Sequence, residues 1–332
     1  MILAGMGWVL LHPTLFKMIR VLVTGGAGFI GSHLVDSLIE NNYHVAIIDN
    51  LSTGLIRNLN EKAIFYEQDL GDVDKLKEIF ENEKPELVFH LAAQIDVRKS
   101  VENPVEDAKI NILNTLNLLE LCVKYNIKHF IFSSSGGAIY GDTDVPTKEE
   151  AVEKPVSPYG CAKLAIEKYL NFYNKVYGLK YTCLRYANVY GPRQNPKGEA
   201  GVISIWFDKM FSIENPIIFG GNQTRDFVYV KDVVKANLLA LKDNKNSTYN
   251  IGTGLQTSIT ELFNLINSFF NEKFKAKYEP MKKGEQMRSC LNYNKIREEL
   301  GWRPEISIER GIRKTYEGFI YSRMNGQIVQ RD

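Results

Sequence analysis

The sequence predicts an α/β fold, a doubly wound parallel sheet followed by a smaller mixed α/β lobe. Short apolar runs alternate with longer helical stretches from residue 19 to about residue 186. Apolar strands that alternate with helices are typical of a parallel sheet covered on both faces. A glycine-rich turn at residues 24–31 joins the first strand to the first helix, and beyond residue 186 the regular alternation ends.

The individual elements follow from local periodicity and β-branched content. Strands are expected at residues 19–24, 44–49, 63–66, 86–90 and 128–134. Helices are expected from the glycine-rich turn to about residue 42, and at residues 72–82, 105–125 and 157–177. In the second lobe we expect helices at residues 202–213, 231–242 and 258–270, with short strands at 217–219 and 226–229.

Composition and charge exclude several classes of protein. The 332 residues are 44% hydrophobic and 24% charged, which is ample for a packed core. The formal net charge is only +2, so a nucleic-acid partner is not expected. No apolar run reaches the ~18 residues that a membrane span needs. The four cysteines lack metal-ligand spacing, which predicts no metal site and a reducing, cytoplasmic compartment.

Residues 1–17 differ from the rest of the chain. They are apolar, but their start is uncharged and no clear cleavage site follows, unlike a secretory signal. Met18 stands immediately before the first predicted strand. We therefore interpret residues 1–17 as an N-terminal extension without a chemical role.

The glycine-rich turn has the features of a dinucleotide-binding site. Gly25, Gly28 and Gly31 permit a tight turn, close approach of the backbone to a pyrophosphate, and tight packing of the helix on the strand. The N-terminus of the following helix offers N–H groups and a positive dipole to that anion.

The ends of the next two strands favour NAD over NADP. The second strand ends in Asp49-Asn50, where an acidic residue accepts hydrogen bonds from the adenosine ribose and repels a 2′-phosphate. Asp69-Leu70 follows the third strand, where a carboxylate can meet the adenine. The alternative is an ordinary βα turn with Asp49 as a cap, which does not account for all these features in one register.

Tyr159 and Lys163 are the central candidates for catalysis. They are four residues apart in a predicted helix, so they share one face. An ammonium near a phenol favours the phenolate by about two pK units, and a positively charged nicotinamide nearby would add to this, so we expect the pKa of Tyr159 to move from ~10 towards neutrality, where it can act as a general base. The fifth strand ends in Ser133-Ser134-Ser135, and a hydroxyl there can share the substrate's proton with Tyr159.

Together the motifs resemble the extended short-chain dehydrogenase/reductases that act on nucleotide sugars, the NAD-dependent epimerase/dehydratase family. The resemblance runs from residue 18 to about residue 318. It rests on TGGAGFIG (24–31), DN (49–50), DL (69–70), HLAA (90–93), SSSGGAIYG (133–141), YGCAK (159–163), LRYANVYGPRQ (184–194), GGNQTRDFVYVKDV (220–233), NIGTG (250–254) and LGWRP (300–304). Within the family the chain is most similar to the UDP-glucose 4-epimerases.

The resemblance implies a Rossmann-type NAD-binding domain at residues 18–186 and a nucleotide-sugar lobe at residues 187–332, with parts near 225–254 packing back on the first domain. It implies Tyr159 as the base, Lys163 on the nicotinamide ribose, and Ser135 as the hydroxyl partner, with Ser134 as a possible substitute. The implied cofactor-binding residues are Gly25, Gly28, Phe29, Ile30, Gly31, Asp49, Asn50, Ser52, Asp69, Leu70, Leu91, Ala92, Ala93, Asn111, Ser133, Tyr159 and Lys163. The implied substrate-binding residues are Ser135, Tyr159, Asn188, Val202, Phe219, Arg225, Arg288 and Ser289.

Elementary chemistry supports the two arginines, because a diphosphate needs cations and arginine offers a bidentate fork. The alternatives are a salt bridge between Arg225 and a neighbouring aspartate, a solvated Arg288, and a core position for Phe219. His90 ends a buried strand, and we expect it to be structural.

The residues after Ser135 discriminate between reactions of the family. Its 4,6-dehydratases place an Asp-Glu pair there, whereas this chain has Gly136-Gly137-Ala138, so dehydration is not expected. The resemblance therefore implies transient oxidation of the sugar at C4 by NAD+ and return of the hydride to the opposite face. Ser289, at the position that sets pocket width, resembles epimerases that also admit N-acetylated sugars.

Several alternatives remain open at this point. UDP-N-acetylglucosamine or UDP-glucuronate is an alternative substrate, and a non-catalytic NAD-sensing protein is a remote alternative, because such proteins usually lose the tyrosine or the lysine. The implied partners are a UDP-sugar and a second copy of the chain. In the family, the helices predicted here at residues 105–125 and 157–177 usually pair across a homodimer.

Overall fold

The computed structural model describes residues 18–197, 201–281 and 286–324, so the predicted extension at residues 1–17 lies outside the described residues. The strands are β1 Arg20–Thr24, β2 His44–Asp49, β3 Ile64–Glu67, β4 Leu87–His90, β5 His129–Ser135, β6 Tyr181–Tyr186, β7 Asn188–Tyr190, β8 Ile217–Phe219, β9 Thr224–Arg225, β10 Phe227–Tyr229, β11 Thr248–Ile251, β12 Thr257–Ser258, β13 Lys277–Glu279 and β14 Arg288–Ser289. The helices are α1 Phe29–Glu40, α2 Val73–Glu83, α3 Val97–Glu102, α4 Pro104–Ala108, α5 Asn114–Lys124, α6 Gly136–Ile139, α7 Pro158–Tyr177, α8 Val202–Phe211, α9 Val230–Ala240, α10 Ile259–Ser268, α11 Asn294–Leu300 and α12 Ile308–Met324. A 3₁₀ turn occupies Ile56–Asn58, and a π-helical turn occupies Lys109–Leu113.

A seven-stranded sheet forms the centre of the molecule, in the order β11-β6-β5-β4-β1-β2-β3. All of its strand pairs are parallel. The chain runs outward from β1 to β3 and then crosses back to β4, so the strand order reverses between β1 and β4. A crevice at the carboxyl ends of the strands is expected at such a point. The predicted doubly wound α/β fold is confirmed.

Two apolar clusters cover the two faces of the sheet. Consecutive residues of a strand point to opposite faces, and accordingly Leu22 and Val23 of β1 belong to different clusters. The cluster around Val23 includes residues of α1 and α9, whereas the cluster around Leu22 includes residues of α2, α5 and α7. The helices are thereby fixed on both sides of the strand ends that form the crevice.

Strands β6 and β11 are absent from the elements predicted by the sequence. β11 comes from the second half of the chain, and its Thr248 lies opposite Cys183 of β6. Its sequence, TYNI, is short and contains a polar residue, Asn250, that is fully buried. That side chain accepts a hydrogen bond from Tyr140 Oη at 2.8 Å and donates one to Thr147 O at 2.9 Å. Only tertiary partners make this strand stable, which is why local pattern did not indicate it.

The helix predicted at residues 105–125 is confirmed as a continuous helical stretch from Pro104 to Lys124, but it contains a π-helical turn that the sequence did not indicate. Asn103 caps α4 by accepting a hydrogen bond from Glu106 N at 3.1 Å, and Pro104 occupies the first helical position. The π-helical turn then lies between α4 and α5. Such turns insert one residue into a helix and are frequent near functional sites. Apolar periodicity does not reveal an insertion of this kind.

The second lobe consists of short strand pairs and of helices α8, α10 and α12 around an aromatic core. Asp226 connects this lobe to the sheet. Its fully buried carboxylate accepts backbone hydrogen bonds from Thr253 at 2.8 Å, from Gly254 at 3.2 Å and from Leu291 at 3.2 Å. One side chain therefore holds together the segments that follow β11 and β14.

The described residues contain no helix that is both long enough and apolar enough to cross a membrane. In the same part of the chain, no cluster of three or more His, Cys, Asp or Glu side chains is placed to hold a metal ion. Cys122, Cys183 and Cys290 are buried, Cys161 is exposed, and all four are free thiols.

Three buried histidines are held in the neutral state. His90 lies between Thr24 Oγ1 at 2.7 Å and Thr115 Oγ1 at 2.9 Å, which is a structural setting. Burial lowers the pKa of His90 to about 3 and those of His33 and His129 to about 4.

We expect these histidines to make the protein less stable in acid. As the pH falls below about 6.5 the unfolded state binds protons that the buried rings do not, so the free energy of unfolding decreases. At about pH 5 each such histidine lowers the free energy of unfolding by about 2 kcal/mol. Urea unfolding at about pH 7 and about pH 5 measures this difference. His129→Gln can keep the hydrogen bond to Thr182 and should lose about 2 kcal/mol less over this interval. An equal loss in that variant would contradict the assignment.

Candidate active site

A cleft of about 680 Å³ opens at the carboxyl ends of the central strands. Its lining includes every predicted cofactor-binding residue except Asn111. These residues are Gly25, Gly28, Phe29, Ile30, Gly31, Asp49, Asn50, Ser52, Asp69, Leu70, Leu91, Ala92, Ala93, Ser133, Tyr159 and Lys163. Motifs that are far apart in the sequence therefore meet in one cavity.

The turn between β1 and α1 has a shape that only glycines allow. Gly25 has a φ of +72°, and a Cβ added there would lie 2.7 Å from Ala92 N. A Cβ at Gly31 would overlap the carbonyl oxygen of Gly25. Gly28 caps α1 without a side-chain hydrogen bond, and the first turn of α1 contains no acidic residue. The start of the helix can therefore receive an anion such as a pyrophosphate.

Carboxylates line the cleft at the ends of β2 and β3. Asp49 is buried, and its two oxygens accept hydrogen bonds from Ala27 N at 3.0 Å and Leu51 N at 2.9 Å. Burial raises the pKa of Asp49. Asn50 Nδ2 donates to Asp69 Oδ2 at 2.7 Å. A phosphate would meet negative charge here, whereas ribose hydroxyls would meet acceptors, which favours a dinucleotide without a 2′-phosphate.

Helix α7 presents Tyr159 and Lys163 to the cleft from one face. Ser157 caps the helix by accepting a hydrogen bond from Gly160 N at 3.1 Å. Lys163 Nζ donates to Ser133 O at 2.8 Å and lies 5.8 Å from the centre of the Tyr159 ring. The lysine therefore connects the helix to the end of β5.

The serines left open by the motif have different partners. The Ser135 hydroxyl forms a hydrogen bond with the Tyr159 side chain. Ser134 Oγ instead donates to the buried carboxylate Glu167 Oε1 at 2.6 Å. Of the two, Ser135 has the contact that a hydroxyl partner of the tyrosine needs.

Burial dominates the charge states of the tyrosine and the lysine. Desolvation raises the pKa of Tyr159 to about 12, although the hydrogen bond from Ser135 acts in the opposite direction. Burial also lowers the pKa of Lys163 to about 8. The expectation that Lys163 brings the pKa of the phenol towards neutrality is therefore wrong for the protein alone. A phenolate in a buried site loses its hydration, and this cost exceeds the attraction of the ammonium.

Comparison with known proteins bears on what such a cleft binds. Residues 21–252 match the model of the NAD dependent epimerase/dehydratase family. The chain is 52% identical to a UDP-glucose 4-epimerase from Thermotoga maritima, solved with UDP-glucose, with a TM-score of 0.90 over 92% of this chain and 99% of that one. The chain belongs to the NAD dependent epimerase/dehydratase family.

Two other solved members of the family differ in substrate. A UDP-glucose 4-epimerase from Thermus thermophilus, in complex with NAD, is 40% identical, with a TM-score of 0.86 over 91% of this chain and 99% of that one. A UDP-N-acetylglucosamine 4-epimerase from Methanobrevibacter ruminantium, in complex with UDP-N-acetylmuramic acid, is 38% identical, with a TM-score of 0.86 over 92% of this chain and 99% of that one.

NAD is the cofactor of this epimerase family member, and the lining of the cleft fits it. The glycine turn fits the pyrophosphate because side chains there would close the space. Asp49, at the end of β2, fits the adenosine ribose. Tyr159 and Lys163 line another part of the cleft, and both belong to α7. When bound, NAD supplies a hydride acceptor and donor.

Sequence reasoning missed an ionic network behind this part of the epimerase cleft. Arg185 of β6 is 3% exposed and pairs with Glu167 Oε2 at 2.6 Å and with Glu153 Oε1 at 2.8 Å. Its Nη1 also donates to Tyr140 Oη at 2.7 Å. Glu167 follows Lys163 by one helical turn, so an acidic residue four positions after the lysine was the available signal.

The cleft also has lining residues that the motifs did not indicate. They are Ile48, Thr53, Gln68, Gln94, Ile95, Asp96, Lys99, Glu102, Asn103, Glu106, Asp107, Ile110, Asn114, Ser134 and Tyr186. Most of them belong to the loop after β4 and to the helices that follow it. A loop and a π-helical turn lack the apolar periodicity from which a shared wall could be predicted.

Asn111 is bonded to residues that line the cleft but is absent from the described lining itself, so its predicted contact with the cofactor stays a prediction. Its side chain accepts a hydrogen bond from Gln94 N at 2.9 Å and donates to Gln94 O and Asp107 Oδ1, each at 2.9 Å. Asn111 therefore fixes the loop after β4 by two hydrogen bonds to the backbone of Gln94.

The predicted substrate-binding residues of the second lobe lie outside this cleft. Asn188 begins β7, where its Nδ2 donates to Asp226 O at 3.3 Å. Val202 begins α8, and Phe219 ends β8. None of them, nor Ser135, appears in the lining of the cleft.

The structure brings three other predicted residues together in one small sheet of order β12-β9-β14. Ser289 is buried and lies opposite Arg225, and Arg288 lies opposite Thr224. Arg288 is exposed and lines a second, polar cleft with Asp142 and other residues of that loop. The carboxylate next to Arg225, that of Asp226, is occupied by backbone N–H groups.

Proposed function

We propose that this protein is a UDP-glucose 4-epimerase, which interconverts UDP-glucose and UDP-galactose. The observation that carries the proposal is the group formed by Tyr159, Ser135 and Lys163 beside the dinucleotide turn. Gly136-Gly137-Ala138 follows Ser135, so no acidic pair is available there for the elimination of water. The similarity to UDP-glucose 4-epimerases over most of the chain supports the same conclusion.

In the proposed reaction Tyr159 is the general base and then the general acid. It accepts the proton of the sugar's C4 hydroxyl through the hydrogen bond that it shares with Ser135. The hydride from C4 would pass to NAD+ held in the cleft beside Tyr159 and Lys163, which leaves a 4-keto sugar, and it would later return to the opposite face of C4. The tyrosine later returns the proton to the C4 oxygen of the inverted sugar, so no proton is gained or lost over the cycle. Lys163 stabilises the phenolate by its positive charge.

The second lobe is proposed to hold the sugar nucleotide by its diphosphate while the 4-keto sugar rotates in the site. Arg225 and Arg288 supply cationic contacts for the diphosphate, and Asn188, Val202 and Phe219 lie on elements of the same lobe. We also propose that residues 18–186 act as the NAD-binding domain and residues 187–332 as the substrate lobe, with parts near 225–254 packing back. The pairing of β11 with β6 supports this packing, because β11 comes from residues 225–254 and joins the central sheet.

A second candidate substrate is UDP-N-acetylglucosamine with its C4 epimer. Ser289 is small and 9% exposed, and it lies beside Arg225 in the β9–β14 pair. A small side chain at this position leaves room for an acetamido group, which a larger side chain would occupy. UDP-glucuronate is the remaining candidate, with Lys99 on the rim of the cleft as a possible contact for its carboxylate.

The first test is turnover of UDP-galactose, and separately of UDP-N-acetylgalactosamine, by the purified protein without added NAD. Formation of UDP-glucose is the expected result. Tyr159→Phe removes the base but no charge from the cofactor site, so we expect turnover to fall by about 10²–10⁴ with NAD still bound. Preferential turnover of the N-acetylated sugar would move the assignment to the second candidate. Full activity of Tyr159→Phe would exclude the mechanism.

The two serines should respond differently to removal of the hydroxyl. Ser135→Ala loses the hydrogen bond to Tyr159, so we expect kcat to fall by at least about tenfold. Ser134→Ala leaves Glu167 short of a donor, so we expect a loss of about 1–3 kcal/mol in the free energy of unfolding with most of the turnover retained. Steady-state kinetics and urea unfolding of both variants measure this. A reversal of the two effects would assign the catalytic hydroxyl to Ser134.

We further propose that the protein is a homodimer of the cytoplasm. Tyr169, Phe172 and Val176 occupy one face of α7 and are between 41% and 58% exposed, and Val105 of α4 is 78% exposed. An apolar helical face of this kind is typical of a subunit interface. The free thiols support a reducing compartment.

Sedimentation tests the dimer directly. We expect the unmodified protein to sediment as a dimer and Phe172→Asp/Val176→Asp as a monomer, because buried charges at an interface are costly. Leu255→Asp changes an apolar residue that is even more exposed and lies outside α7, and that variant should remain dimeric. A monomeric unmodified protein would exclude the proposed interface.

A further inference from the structure

Asp107 of α4 has a buried carboxylate oxygen that the proposed mechanism does not use. The side chain is 2% exposed and lines the cleft together with Tyr159 and Lys163. Its Oδ1 accepts hydrogen bonds from Gln94 Nε2 and Asn111 Nδ2, each at 2.9 Å. Within the described part of the chain, its Oδ2 has no hydrogen-bond partner.

The neighbours of Asp107 fix its position. Gln94 N donates to Asn111 Oδ1 at 2.9 Å, and Asn111 Nδ2 donates to Gln94 O at 2.9 Å. Gln94 Oε1 accepts a hydrogen bond from Asp96 N at 2.6 Å. The loop after β4 and the π-helical turn thus hold the carboxylate so that Oδ1 is satisfied and Oδ2 is not. A buried polar atom without a partner is costly and calls for an explanation.

The charge of Asp107 acts on the two groups that carry the chemistry. Lys163 Nζ donates to Ser133 O, and an ammonium has three N–H groups. The negative charge of Asp107 raises the pKa of Lys163 against the effect of burial. It also raises the pKa of Tyr159. The carboxylate thus favours a charged lysine and a neutral phenol in the free protein.

Other ionisable groups line the same cleft as Lys163 or lie on the elements packed around its helix. They are Tyr159 and Glu167 of α7, His90 of β4, Arg185 and Tyr186 of β6, Lys99 and Glu102 of α3, and Glu106 of α4. The charge of Glu167 is paired with that of Arg185, His90 is neutral, and Glu106 is exposed to solvent. Asp107 is the buried carboxylate among these groups that has no cationic partner within 4 Å in the described chain.

We propose that Asp107 is a positioning residue that sets the protonation of the Tyr159–Lys163 pair from α4, the helix that carries it in the wall of the same cleft. This inference rests on the proposed function for its effect on turnover, but its electrostatic part concerns the protein alone. The carboxylate retains the positive charge of Lys163 near neutral pH and thereby keeps the lysine able to stabilise a phenolate. Asp107 acts through its negative charge and not through a hydrogen bond to Tyr159 or Lys163.

Asp107→Asn tests the proposal because it removes the charge and keeps the shape. Both pKa values should fall, so we expect the pH profile of kcat/KM to move to lower pH by about one unit. Asp74→Asn is the matched control: it makes the same exchange at an exposed carboxylate of α2 that does not line the cleft, and its profile should keep the position of the unmodified protein. Asp107→Glu should restore the position because it restores the charge.

A second measurement does not depend on the substrate. The ¹³Cε signal of Lys163, assigned by its absence in Lys163→Met, can be followed between about pH 6 and 10 in the NAD-bound protein. We expect its midpoint to be lower in Asp107→Asn than in the unmodified protein. If no UDP-sugar is turned over, the proposed function fails while this titration still decides the electrostatic role of Asp107.

An unchanged midpoint, or a shift to higher pH, in a folded Asp107→Asn variant would overturn the proposal. Asp107→Ser removes the same charge with a smaller side chain and replaces Asp107→Asn if that variant does not fold. A loss of stability with no change in titration or in the pH profile would mean that Asp107 is only structural.

Discussion

The contact between the end of β5 and helix α7 is the constraint on which the rest of the site depends. Lys163 Nζ donates a hydrogen bond to Ser133 O, Glu167 accepts one from Ser134 Oγ, and the Tyr159 side chain is hydrogen-bonded to Ser135. Consecutive residues of the strand therefore meet residues that follow each other by one turn on the helix. A change of register by one residue would disrupt all three contacts together, so the geometry of the tyrosine and its hydroxyl partner is over-determined. The Glu167–Arg185 pair extends this constraint to β6.

Burial governs the electrostatics of the site more than any single neighbour does. Lys163 and Tyr159 are both deeply buried, and the consequence is a lysine with a pKa of about 8 beside a phenol with a pKa of about 12. Each group is disfavoured in its charged form for the same reason, the loss of hydration. Charges on the surrounding side chains then shift these two pKa values further. One of these charges is the carboxylate of Asp107, whose Oδ2 has no hydrogen-bond partner among the described residues.

The two lobes contribute different parts of the proposed activity. The described lining of the main cleft comes from residues up to Tyr186, which is consistent with the proposed NAD-binding domain at residues 18–186. Arg225 and Ser289 lie in a separate sheet of the second lobe. Asp226 joins that sheet to the segment after β11 by hydrogen bonds to Thr253 and Leu291. A cofactor held by one lobe and a diphosphate held by the other would leave the sugar between them free to rotate.

The sequence alone determined the doubly wound fold, the dinucleotide turn and the pairing of Tyr159 with Lys163, because each depends on local spacing or periodicity. Tertiary structure decided what local pattern does not contain. It gave Ser134 a buried partner, Glu167, which favours Ser135 as the proposed hydroxyl partner of Tyr159. It added β11 to the sheet, because the buried Asn250 has partners that are distant in the sequence. It placed Asp107 in the wall of the cleft and bonded it to Asn111 of a π-helical turn, which apolar periodicity does not reveal. It also reversed the expected pKa shift of Tyr159, because burial is a property of the folded chain.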